Sequence, residues 1–173
     1  MTATDRAKAI RLLLLDVDGV LTDGRIYYTE QGDEIKAFNI QDGLGIKLLQ
    51  RQGIEVGIIT GRTSTLLTRR TRELGIDLVV QGREDKAAAL AEILRAHPYP
   101  LEAIAFMGDD LPDLALIRKV GLGLTVANCA STVARHAHWR ASRNGGEGAV
   151  REAAEFILAA QGKLASAVEP YLQ

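Results

Sequence analysis

Short apolar runs alternate along this chain with segments whose apolar residues recur at helical spacing. Ile10-Arg11-Leu12-Leu13-Leu14-Leu15 is the first run, and it stops at Asp16. Glu55–Thr60, Asp77–Val80 and Ala103–Met107 are three more of the same kind. Runs this short, without strict alternation, predict strands buried on both faces. Between them, Leu44, Leu48 and Leu49 share one helical face, as do Leu66, Leu67, Arg70 and Leu74, with Arg70 at the edge. Ala87, Leu90, Ala91 and Leu94 follow the i, i+3, i+4, i+7 rule, and Val150, Ala153, Ala154, Ile157 and Leu158 form a last stripe. The pattern predicts an α/β fold: a three-layer, open parallel sheet of Rossmann-like type with helices on both faces. Right-handed crossovers then gather the loops that follow the strands at one carboxyl edge.

One segment breaks the rhythm. Gly24–Thr29 and Glu34–Phe38 are strand-like and flank a turn at Glu30-Gln31-Gly32-Asp33, which predicts a β-hairpin at about residues 24–38 projecting from the body. A lone hairpin is marginal in water, so Ile26, Tyr28, Ile35 and Phe38 require cover from the body or from another protomer. No second domain, linker or repeat is visible, and residues 1–173 are expected to form a single domain without a large cap. Thr2–Lys8 and Ala165–Gln173 read as the loosest ends, with Pro170-Tyr171-Leu172 able to dock.

Composition narrows the classes of function. A formal net charge of -1 over 173 residues offers no general attraction to nucleic acid or to an anionic membrane. The first apolar run is too short to span a bilayer and no secretion signal is evident, so a cytoplasmic location is expected. The lone Cys129 excludes an intrachain disulfide.

The candidate chemistry sits where the runs end. Asp16-Val17-Asp18-Gly19-Val20 places two acids within reach of one cavity. Close carboxylates repel unless a cation or a proton compensates. Asp16 suits attack on phosphorus and Asp18 suits proton transfer to the leaving oxygen and from water. A capped turn or a non-catalytic metal site is the alternative reading of the pentapeptide. Thr60 and Gly61 offer a hydroxyl and an amide to phosphoryl oxygens, and Arg62 offers a guanidinium to a carboxylate or phosphate. Lys86 falls in the first turn of a helix, where a cation is unfavourable. Either it is merely solvated or it faces Asp16 and the transferring group. Gly108-Asp109-Asp110-Leu111-Pro112-Asp113 supplies acids for a hard cation, with Asp109 preferred as direct ligand. Asp110 and Asp113 are then supports or ligands through water, and Asp110 alternatively caps the helix. His136 and His138 lack further ligands for zinc. Gly145-Gly146-Glu147-Gly148 lacks a nucleotide-loop lysine and reads as the turn into the last helix.

These four motifs, in this order, resemble those of the haloacid dehalogenase superfamily of phosphohydrolases. The resemblance implies Mg²⁺ held by the side chains of Asp16 and Asp109 and the backbone carbonyl of Asp18. A closer likeness, to the 3-deoxy-D-manno-octulosonate 8-phosphate phosphatase family, runs through Asp16–Asp23, Gly32, Lys36-Ala37-Phe38-Asn39, Asp42-Gly43, Thr60-Gly61-Arg62, Gln81-Gly82, Lys86, Gly108–Asp110, Gly145–Glu152 and Ala160–Leu164. It implies release of phosphate from an eight-carbon sugar acid, a homotetramer joined through its hairpins, and substrate contacts from Asn39, Ile40, Gln41, Asp42, Gly43, Lys47, Arg62 and Arg70. Similar enzymes for nine-carbon sugar acids tend to carry Glu in place of Arg62, which favours the eight-carbon substrate. Glu147, where eight-carbon enzymes often carry Arg, leans the other way. A phosphoacceptor signalling module, a phosphomutase and an inert metal-binding subunit are the rival classes. Asp18 argues against the first, and the missing cap argues against the second.

Overall fold

A computed structural model describes residues 1–172. The elements in order are α1 (Ala3–Ala7), β1 (Leu12–Leu15), β2 (Tyr27–Tyr28), β3 (Glu34–Ile35), α2 (Ile40–Arg51), β4 (Glu55–Ile59), α3 (Thr65–Leu74) and β5 (Leu78–Val80). They continue with α4 (Lys86–Ala96), β6 (Ile104–Gly108), α5 (Leu114–Lys119), β7 (Leu122–Thr125), α6 (Ser131–His136), β8 (Trp139–Arg140), α7 (Ala149–Ala160) and α8 (Leu164–Val168). Six strands form one parallel sheet in the order β5-β4-β1-β6-β7-β8, and β2 and β3 form a separate antiparallel pair.

Every residue of β1 is buried, because alternate side chains enter two different cores. Leu13 and Leu15 face a core built with Ile46 and Leu49 of α2, Leu67 of α3 and the apolar stripe of α7. Leu12 and Leu14 face the other, with Leu90 and Ile93 of α4 and Leu116 and Ile117 of α5. Three layers result, as expected from the sequence. Strand β1 lies between β4 and β6, and the chain leaves it toward β4 and β5 before returning to β6. That reversal opens a crevice at the carboxyl ends of the central strands.

Several details differ from the sequence reading. Strands β7 and β8 extend the sheet beyond the four apolar runs. Gly123 interrupts β7 and is required there because a Cβ would meet the Ile117 carbonyl oxygen at 2.3 Å. Strand β8 is only two residues long. Thr2–Lys8 is not loose: Thr2 and Asp5 form a capping box, Ala7 is buried and Arg6 donates to the Gly121 carbonyl at 2.8 Å. Part of the segment 165–173 is likewise ordered into α8, with Ala167 buried, and Arg51 donates to the Tyr171 hydroxyl at 2.7 Å. Gln173 lies outside the described residues. On α3 the buried stripe is Leu67, Thr71 and Leu74, while Leu66 is exposed. His138 accepts from the Gly123 amide through Nδ1, and His136 Nδ1 meets the Thr132 carbonyl, so the two rings serve their own backbone.

Candidate active site

Asp16 leaves the end of β1 with its amide bonded to the Met107 carbonyl of β6, which fixes the start of its loop. Its carboxylate Oδ1 lies 2.8 Å from Lys86 Nζ, and that ammonium also donates to Asp113 Oδ1 at 2.5 Å. Lys86 is the first residue of α4, whose cap is the Asp85 side chain accepting from Ala88 N. Of the two alternatives for Lys86, the buried, paired one holds: its side chain is 5% exposed.

Asp109 follows β6 and directs its carboxylate against Gly19. A Cβ at Gly19 would lie 2.2 Å from Asp109 Oδ2, and Gly19 also has φ +95, so glycine is required there twice over. Asp113 organises this loop. Its Oδ2 accepts from the amides of Asp109 and Asp110 at 3.0 and 3.3 Å while Oδ1 receives Lys86. Asp110 is exposed and caps the turn by accepting from Leu111 N. Thr60 and Gly61 reach the same cavity from the end of β4, Thr60 being buried. Helix α3 opens only at Thr65, under a Ser64 cap, so its amino end lies several residues beyond the Thr60–Gly61 turn.

These groups line one cavity of about 500 Å³ together with Asp18, Arg62 and Glu84. Asp16, Asp109 and Asp113 bring carboxylate oxygens within 4.8 Å of one another. Burial, followed by repulsion from Asp113, raises the Asp16 carboxyl to about 6, against the pull of Lys86. Burial, followed by repulsion from Asp16 and Asp113, raises Asp109 to about 7. Three acids with a single ammonium leave uncompensated negative charge. An all-oxygen donor set of that kind fits a hard divalent cation.

The proposed substrate contacts divide. Arg62 lines the cavity and its Nη2 donates to Glu34 Oε1 at 2.9 Å. The others do not enter it. Asn39 caps α2 by accepting from Gln41 N and donates to the Gly146 carbonyl. Ile40 and Gln41 are exposed. Asp42 is buried and accepts from Arg151 N at 2.9 Å, so it serves the amino end of α7. Gly43 gives room to the Arg70 guanidinium, which would lie 2.4 Å from a Cβ there. Arg70 leans over the Phe38 ring and toward Glu73, while Lys47 points to Gly75 at the end of α3. Two residues were given no site role in the sequence reading, Lys36 entering only through the resemblance and Glu34 only as part of a strand. Lys36 bonds to Asp18, and Glu34 joins Lys36 to Arg62.

The Gly145–Gly146 turn braces the nucleophile loop. Gly146 N donates to the Val20 carbonyl, and a Cβ at Gly145 would overlap the Gly19 carbonyl oxygen at 1.8 Å. Gly145→Ala is expected to cost about 3 kcal/mol in urea unfolding, because backbone stands on the far side of the contact and must shift. An unchanged midpoint would show that the loop yields freely.

A parallel sheet with acids from the ends of β1 and β6, a hydroxyl from the end of β4 and a lysine from the start of α4 defines a phosphohydrolase of haloacid dehalogenase type. Residues 76–153, which include Lys86 and Asp109, match the haloacid dehalogenase-like hydrolase model. The chain is 46% identical over 162 residues to the 3-deoxy-D-manno-octulosonate 8-phosphate phosphatase KdsC of Yersinia pestis, covering 94% of this chain and 87% of the relative. Its identity to the Escherichia coli K12 protein of the same name is 45%, over 92% of this chain and 85% of that one. The 3-deoxy-D-manno-octulosonate 8-phosphate phosphatase of Moraxella catarrhalis, solved with magnesium ion, phosphate ion and KDO, superposes with a TM-score of 0.95 and is 41% identical, covering 98% of this chain and 97% of that one. The chain therefore belongs to the 3-deoxy-D-manno-octulosonate 8-phosphate phosphatase family.

Proposed function

We propose that this protein hydrolyses 3-deoxy-D-manno-octulosonate 8-phosphate to the free sugar acid and phosphate, through a phosphoryl group carried on Asp16. The observation that carries the reading is the convergence of Asp16, Lys86 and Asp109 on one cavity at the carboxyl edge of the sheet. The names of the relatives, and the ligands of the Moraxella enzyme, support the choice of substrate.

Asp16 attacks phosphorus in line with the departing sugar oxygen, and Asp18 gives that oxygen a proton. Asp18 then takes a proton from water, which attacks phosphorus and frees Asp16. Lys86 and the Thr60 hydroxyl offset and hydrogen-bond the equatorial oxygens, with the Gly61 amide beside them. The Asp16 and Asp109 side chains and the Asp18 carbonyl would hold Mg²⁺. Asp113 is left as a support, since its two oxygens already receive Lys86 and two amides. When bound, Mg²⁺ neutralises the carboxylates and the phosphoryl oxygens together. Arg62 meets the carboxylate or far end of the sugar acid.

The metal reading has a consequence for stability. Asp16 and Asp109 titrate above the ordinary carboxyl value of 3.8 in the fold, near 6 and 7. Between those limits the folded state binds more protons than the unfolded one. Metal-free stability is therefore greatest below pH 3.8 as far as these two groups contribute, and it falls as pH rises toward 7. Added Mg²⁺ should raise the melting temperature more at pH 8 than at pH 5. Equal shifts at both values would count against a carboxylate metal site.

The hairpin exposes Ile26, Tyr28 and Ile35, which are 52%, 67% and 53% accessible. Four copies joined through these hairpins would cover them, and a neighbour would supply the wall the missing cap leaves open, with Ile40 and Gln41, which are exposed, free to meet a site other than their own. A Tyr28→Asp/Ile35→Asp double variant should run as monomer by light scattering. A tetramer mass retained in that variant would place the assembly elsewhere. A cytoplasmic location is part of this reading; no helix among the described residues is long and apolar enough to cross a membrane.

The deciding experiment compares Mg²⁺-dependent phosphate release from the eight-carbon and nine-carbon sugar acid phosphates, with hexose phosphates as controls. Preference for the eight-carbon ester is expected. Preference for a nine-carbon ester would make Glu147, not Arg62, the better guide to substrate.

A further inference from the structure

Lys36 is unusual among the cations of this chain. It directly follows the two-residue strand β3, where Ile35 faces solvent, yet its own side chain is only 5% exposed. Its ammonium bonds to Asp18 Oδ1 and lies 3.4 Å from Glu34 Oε1. The same Glu34 oxygen accepts from Arg62 Nη2 at 2.9 Å. Withdrawing a lysine head from water and fixing its long stem are both unfavourable, so the two carboxylates hold it in place.

We propose that Lys36 is a positioning residue for Asp18, and this rests on the hydrolase reading above. With Oδ1 engaged by the ammonium, Oδ2 is the oxygen available to carry the proton. In the first step Asp16 forms a bond to phosphorus, the bond from phosphorus to the substrate oxygen breaks, and the proton on Asp18 Oδ2 passes to that oxygen. In the second step Oδ2 takes a proton from water, the new oxygen bonds phosphorus, and the bond to Asp16 breaks. Both steps need Asp18 held at one angle, and Lys36 supplies that hold from the base of the hairpin. Glu34 links it to Arg62, so a ligand that engages Arg62 also acts on the pair that orients the acid.

The test uses the full-length protein with Mg²⁺ and measures kcat/KM, which reports events up to departure of the leaving group. An alkyl phosphate such as β-glycerophosphate needs its leaving oxygen protonated, whereas p-nitrophenyl phosphate needs this far less. Lys36→Met should lower kcat/KM for the alkyl ester at least about tenfold more than for the aryl ester, and Lys36→Arg should recover part of the difference. Equal losses for both esters would overturn the inference, because a hairpin that has merely come loose impairs both alike. A loss confined to the sugar acid phosphate would also overturn it, making Lys36 a substrate ligand. Wild-type protein that releases phosphate from none of the three esters would remove the hydrolase reading itself, a different result from either.

Discussion

Asp16→Asn is expected to lower kcat for phosphate release by about 10⁴-fold or more, the range seen when a covalent nucleophile is removed. The replacement has nearly the same shape, and its amide oxygen can still accept from Lys86. It removes the attacking anion and leaves the rest of the cavity in place. The fold should survive. Asp16 sits among carboxylates that oppose its charge, and burial already raises it to about 6, so a neutral side chain relieves repulsion with Asp109 and Asp113. Metal-free protein should therefore melt no lower in the variant than in the wild type at pH 8. Acid-quenched intact mass spectrometry gives a second readout, with a phosphorylated chain for the wild type during turnover and none for the variant. Near-normal turnover would remove Asp16 as nucleophile, and melting far below the wild type would mean that its charge is needed for the fold.

The residues legible from sequence are those attached to strong local patterns. Asp16, Thr60 and Asp109 each follow an apolar run, and a strand end fixes where a side chain can go. Lys86 is legible because a cation in the first turn of a helix conflicts with the local dipole and so asks for a partner. Lys36 and Glu34 gave no such signal. Charged residues on a short hairpin normally face water, and only the tertiary approach of that hairpin to Asp18 and Arg62 withdraws them. The segment Asn39–Gly43 shows the opposite difficulty. Its polar residues suggest ligand contacts, but Asn39 closes α2 and Asp42 serves amides more than a hundred positions away, at Arg151. Strands β7 and β8 were hidden by a glycine and by brevity, since β7 depends on pairing with β6, and β8 on pairing with β7, rather than on a long apolar run of their own.

Lys86→Met is expected to impair both catalysis and stability. Its ammonium is the cation that bridges Asp16 and Asp113, and desolvation of that ammonium is outweighed by the two carboxylates, so its titration lies above the ordinary lysine value. A group raised in this way contributes its stability below pH 10.5 and loses it only as the pH climbs past the folded value. Methionine fills similar space without charge and leaves the acids facing one another. Removing one partner from a buried ionic cluster typically costs about 3–5 kcal/mol, and loss of a charge stabilising the transferring phosphoryl group lowers kcat by about 10²–10³-fold. The two effects separate by pH. Near pH 5, below the Asp16 value of about 6, that carboxyl is largely protonated, so the stability deficit should shrink while the activity deficit persists. Lys86→Arg should not fully rescue, because a planar guanidinium does not reproduce the compact ammonium that meets both Asp16 Oδ1 and Asp113 Oδ1. Wild-type rates in a fully folded Lys86→Met protein would show that the ammonium holds the loops together without facing the phosphoryl group.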